Sequence, residues 1–203
     1  MHFQGVFLLL LLLLVQPSAS FDEPTGFDAI VAHWKFEGNL ESSVGTYTGS
    51  VNSTTIYTNF PYNNQTYTGY QFNSGSVLSL PSESSSSLLP FQNSWTVAGI
   101  FQGIYPDGPL IHFGGLDQNT ADTQISLWMN QAGSDTLTLR VGGSSVNVNC
   151  YVREFFFAAV KYNSTTEKFT LLCIRSNLIS EQNTLIAAGT RFRATYLTVG
   201  HGM

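Results

Sequence analysis

Hydrolysis of a glycosidic bond needs two carboxyl groups about 5 to 9 Å apart. A β-strand supplies such a pair most directly as acids at i and i+2, because those positions share a face. None of the 13 Asp and Glu residues falls at that spacing within an apolar alternating segment. Glu37 and Glu41 are four apart across Gly38-Asn39, Asp117 and Asp122 sit in a polar loop, and Glu154 and Glu167 are solitary. Nucleophilic chemistry fares no better, since His33, His112 and His201 lie far from any Gly-x-Ser-x-Gly turn and none follows either cysteine closely. The sequence reads as a non-enzyme.

Metal binding has one candidate region. Asp107, in Tyr105-Pro106-Asp107-Gly108, and Asp117, Asn119 and Asp122 make the chain's most oxygen-rich cluster. Calcium takes six to eight oxygens, and Asp and Asn are equally at home in turns. Calcium therefore stands as a candidate only; no metal ligand is assigned and no cofactor is expected. Trp34, Trp95 and Trp128 each sit inside an apolar alternating run and read as core anchors rather than a sugar platform.

The compartment is written at the start of the chain. Val6 to Val15 is continuously apolar and holds seven successive leucines, Leu8 to Leu14. That length suits a signal-peptide core and falls short of the roughly 20 residues that span a bilayer. Pro17 and then Ser18-Ala19-Ser20 follow, so cleavage is expected between Ser20 and Phe21, although Met1 to Gly5 carries no Lys or Arg. Residues 1–20 are thus read as a signal peptide, 21–27 as a short linker and 28–203 as one domain, with no membrane span in the processed chain. A chain of this size buries about 70% of its extended surface and folds without a dense disulfide framework.

Composition narrows the partners. Charged residues are 10% of the chain, the net charge is −5, and the eight Lys and Arg are scattered. Nucleic acid and heparin are poor partners for such a surface, and the dispersed acids form no run suited to mineral nucleation. Asn52-Ser53-Thr54, Asn64-Gln65-Thr66 and Asn163-Ser164-Thr165 are N-glycosylation acceptor patterns in polar, turn-like stretches. The whole thiol inventory is Cys150 and Cys173. In an oxidising compartment an even count favours one disulfide, contributing about 3 kcal/mol. Two free buried thiols are the alternative. If residues 163–167 form a turn, Cys173 faces Phe157, and a bridge requires the strand carrying Cys150 to run beside or across from Cys173.

Period-two alternation dominates the chain and helical periodicity is nearly absent. Ile30–Phe36, Gly69–Leu80, Trp95–Phe101 and Leu110–Phe113 read as strands. Ile125–Met129 with Thr136–Val141 reads as a hairpin, and Glu154–Tyr162 with Lys168–Ile174 as a second one. Both faces of the second hairpin are apolar, which places it centrally in a sheet. Short strands at such intervals, parted by Gly, Asn and Ser turns, predict an all-β antiparallel sandwich of two sheets.

The order of these segments resembles the laminin-G-like, concanavalin-A-like family. The resemblance rests on Val31-Ala32-His33-Trp34-Lys35-Phe36-Glu37-Gly38-Asn39-Leu40 with Ser43-Val44-Gly45. It rests also on Gly69-Tyr70-Gln71-Phe72-Asn73 through Leu80-Pro81, Ser94-Trp95-Thr96-Val97-Ala98-Gly99-Ile100-Phe101, the hairpin Arg153 to Cys173, and Leu197-Thr198-Val199-Gly200. It spans residues 28–203 and implies a jelly-roll connectivity. Such domains close with one more strand after the Leu-Thr-Val-Gly segment, so the sequence implies either a longer precursor or a bare strand edge. The resulting expectation is a secreted, extracellular, non-catalytic matrix or adhesion protein, including the organic matrix of a mineralised tissue. The alternative is a lectin-like module, calcium-dependent or not. In either case the partner is an extracellular protein or a glycan.

Overall fold

A computed structural model describes residues 5–9, 39–43, 47–51, 56–62, 65–73, 77–80, 94–103, 108–114, 125–130, 135–142, 144–175, 178–185 and 196–200. The strand expected over Ile30–Phe36 lies outside these residues. Among them the chain is all β, with fourteen strands in two antiparallel sheets of seven.

The first sheet holds β1 (Gly5–Leu9), β3 (Ile56–Tyr62), β4 (Gln65–Asn73), β6 (Trp95–Gly103), β11 (Phe156–Asn163), β12 (Lys168–Arg175) and β13 (Leu178–Leu185). Their spatial order is β13-β12-β11-β6-β1-β4-β3. The second sheet holds β2 (Ser50–Val51), β5 (Leu78–Leu80), β7 (Gly108–Gly114), β8 (Ile125–Asn130), β9 (Thr136–Val141), β10 (Ser144–Asn149) and β14 (Tyr196–Val199), in the order β10-β9-β8-β7-β14-β5-β2. Pro61 falls on β3, an edge strand, where a missing N–H costs no ladder bond.

One core joins the two sheets. Val97, Phe101, Phe156, Val160, Phe169 and Leu171 come from the first; Ile111, Leu127, Met129, Leu137, Leu139 and Val148 come from the second, and all are buried. Trp95 is the cross-sheet anchor. Its ring centroid lies 5.6 Å from Phe113 of the second sheet, and 5.7 Å from both Tyr162 and Phe169 of its own. Burying each such large apolar side chain contributes about 1.5–3 kcal/mol. Burial raises the pKa of the Tyr162 phenol, and the nearby Glu167 carboxylate adds to the rise.

The first hairpin forms as the alternation predicts, from Ile125↔Val141 to Asn130↔Thr136. The second is shifted by one residue. Its turn is the four residues 164–167, so Asn163 pairs with Lys168 and Cys173 faces Ala158 rather than Phe157. The cause is local: Asn163 Oδ1 accepts from the backbone N–H of Thr165 (2.9 Å) and Thr166 (3.0 Å), and Glu167 adopts a left-handed φ of 51°. Asn163 thereby caps the turn and remains in the ladder. The hairpin lies within its sheet, with β11 between β12 and β6, as its two apolar faces require.

Gly69–Leu80 is two strands rather than one. β4 belongs to the first sheet and β5 to the second, so the chain crosses between sheets after Asn73. β14, matching the Leu-Thr-Val-Gly segment, lies inside the second sheet between β7 and β5. β1 was not expected: Gly5–Leu9 pairs with β4 from Gly5↔Asn73 to Leu8↔Tyr70, and with β6 from Val6↔Gly103 to Leu9↔Ile100.

Candidate ligand-binding face

Antiparallel pairing carries one row of residues across every strand of the second sheet. Val51, Leu78, Val199, Ile111, Leu127, Leu139 and Val146 stand side by side and are wholly apolar. Five of them are buried, so this row faces the core. The adjacent row is Ser50, Ser79, Thr198, His112, Ser126, Arg140 and Ser145, and it is wholly polar. Because neighbouring residues on a strand point to opposite faces, the polar row lines the outer face. An unbroken polar row of seven, opposite an unbroken apolar one, fixes which side of this sheet meets solvent.

Trp128 belongs to the polar side. It is in phase with Ser126 and out of phase with Leu127 and Met129, pairing with Thr138 and, through it, with Asn147. The reading of Trp128 as a core anchor is therefore corrected: the side chain is half-buried on the outer face. Its indole N–H donates to Ser126 Oγ at 2.7 Å, which lays the ring back along β8. Arg140 stands on it, with the guanidinium carbon 4.2 Å from the ring centroid. Ser126 and Thr138 are the buried polar residues among those described. Trp95, by contrast, is a core anchor as read, and Trp34 lies outside the described residues.

His112, half-buried in the same row, has its pKa lowered from 6.5 by burial, which disfavours the imidazolium. Thr198 Oγ1 donates to the His112 carbonyl at 3.5 Å. The described residues of the polar row and its neighbours Trp128, Thr138 and Asn147 include no carboxylate. The chemistry on offer is hydroxyl, amide and guanidinium hydrogen bonding around one aromatic side chain.

Cys150 and Cys173 form the expected disulfide, with Cα atoms 6.1 Å apart. Cys150 follows β10 of the second sheet and Cys173 lies in β12 of the first, so the bond crosses between sheets. The segment after Cys150 is tied down further. Arg175 binds Glu154 (2.8 Å) and covers the Tyr151 ring (4.6 Å), while Gln102 Nε2 donates to the Arg153 carbonyl (3.1 Å). Glu154 thus has a structural partner.

Asn163 is exposed at its turn, and Ser94 Oγ accepts from the Ser164 N–H at 2.9 Å. Asn52, Asn64, Ser20 and Phe21 lie outside the described residues, as do Asp107, Asp117, Asn119, Asp122, His33, His201 and Glu37. Among the described residues no three His, Cys, Asp or Glu side chains gather as a metal site, and no helix is long and apolar enough to cross a membrane.

The polar face had a sequence signal that alternation alone contains. Ser126-x-Trp128-x-Asn130 and Thr136-x-Thr138-x-Arg140 are in phase with each other once Ile125 pairs with Val141. No family model matches the chain, and no curated protein matches it.

Proposed function

We propose that the chain is a secreted, non-catalytic module of an extracellular matrix or adhesion setting that binds a glycan on the outer face of its second sheet. The supporting observation is the polar row of seven, which includes Arg140, with Trp128 beside it. Sugars are recognised by hydroxyl and amide hydrogen bonds combined with an aromatic surface, and this face offers those groups. The disulfide is compatible with an oxidising, extracellular location. The laminin-G-like resemblance and its jelly-roll connectivity belong to this reading, as does glycosylation at Asn52, Asn64 or Asn163.

A second reading, packing against other matrix proteins, draws on the first sheet. Ile100, Phe157, Ile174 and Ile179 form an apolar row across β6, β11, β12 and β13 on its outer face. Ile179 is 69% exposed. Such a row suits a protein partner.

A glycan array probed with the secreted protein, with calcium and again with chelator, tests the first reading. Saturable binding that Trp128→Ala weakens is expected. Folded protein that binds no glycan would move the function to the apolar row of the first sheet.

A further inference from the structure

The outer face of the second sheet contains a cation that a neutral sugar does not require. Three arginines lie among the described residues. Arg153 is 3.9 Å from Asp135 and Arg175 is 2.8 Å from Glu154. Arg140 has no carboxylate partner among the described residues; it is exposed, and its contact is with the Trp128 ring at 4.2 Å. The ring is itself held by its 2.7 Å hydrogen bond to Ser126. A cation–π contact engages the guanidinium through its charge and leaves its N–H donors for an oxyanion. It also restrains a side chain that would otherwise lose rotamer freedom on ordering.

The surroundings favour an anion of modest charge. Ser50, Ser79, Thr198, Ser126 and Ser145 are neutral hydroxyl residues, and Trp128, Thr138 and Asn147 are neutral as well. A field with one fixed cation and no described carboxylate attracts a single oxyanion. It does not attract a polyanion, against which the net charge of −5 acts.

We propose that Arg140, positioned by Trp128, makes this face selective for an acidic saccharide, one bearing a carboxylate or sulfate group. The hydroxyl row engages the sugar hydroxyls and the guanidinium engages the oxyanion, bidentately where the anion is planar. This rests on the glycan-binding reading of the same face.

The test compares three short oligosaccharides of one backbone, neutral, uronate-bearing and O-sulfated, titrated into the full secreted protein and its Arg140→Gln variant. The native protein is expected to bind an acidic form about tenfold or more tighter than the neutral one. Preference for the uronate or for the sulfate identifies the anion. Arg140→Gln is expected to bring acidic and neutral forms to equal affinity. Arg140 is exposed, so the variant is expected to fold, and its unfolding midpoint verifies this. Equal binding of all three by the native protein, or a preference that survives Arg140→Gln, overturns the inference and leaves the glycan reading standing. Folded protein that binds none of the three overturns both.

Discussion

Cys150 and Cys173 join the two sheets: one sulfur belongs to the residue that follows β10 and the other to a core position of β12. Both residues are buried. The bond holds the last hairpin of the first sheet against the edge of the second, and the turn between Cys150 and β11 is secured beside it by Arg175 and Glu154. Cross-linking the chain here chiefly restricts the unfolded ensemble.

Replacing both cysteines, Cys150→Ala with Cys173→Ala, is accordingly expected to lower stability by about 3 kcal/mol. Urea unfolding should show an earlier midpoint. An unchanged midpoint would mean that the bridge does not constrain the unfolded chain.

Trp95 connects the sheets without a covalent bond, through Phe113, Tyr162 and Phe169. Trp95→Ala should cost about 3–5 kcal/mol, as for other large-to-small changes in a packed core. Trp95→Phe, which refills part of the volume, should cost less. Chemical unfolding of the two variants gives the comparison.

His112 predicts a pH dependence. Its pKa in the folded protein lies below 6.5, so the unfolded chain takes up the proton first as pH falls. Stability from this group is complete above pH 6.5 and is lost as pH falls below it. His112→Gln should flatten the decline between neutral pH and pH 5 in urea midpoints. An equal decline in both proteins would show that other groups carry it.

β1 raises a question of processing. Gly5–Leu9 lies between β4 and β6, within residues 1–20, for which the sequence raises the expectation of a signal peptide removed after Ser20. Backbone groups left unpaired in the interior of a sheet cost about 1–3 kcal/mol each, so the position calls for another strand, and Ile30–Phe36 has the required alternation. In protein beginning at Phe21, amides of residues 70–73 and 100–103 are therefore expected to stay protected from hydrogen exchange. Rapid exchange there would show the position unfilled.

Much of the fold is legible in the sequence because alternation is a local property. Ile125–Val141 names its own pairing, and the two apolar faces of Phe156–Arg175 predict its place within a sheet. Sheet membership is less legible. Within Gly69–Leu80 the run Asn73-Ser74-Gly75-Ser76 is a turn signal, but nothing in it tells that the strands on its two sides belong to different sheets. β10 and β13 are written largely in Ser, Asn, Gln and Thr, which also make turns, and so give weak strand signals. Trp128 misled for a chemical reason. A large aromatic residue between Leu127 and Met129 suggests the core, whereas its phase with Ser126 and Arg140 places it outside.

The central claim, that the outer face of the second sheet binds glycan, is tested most directly by backbone amide and indole NMR shifts. A glycan identified on the array is titrated into the folded protein. The expected shifts fall on His112, Ser126, the Trp128 indole N–H, Arg140, Ser145 and Thr198. Shifts confined instead to Ile100, Phe157, Ile174 and Ile179 would contradict the account and assign binding to the first sheet.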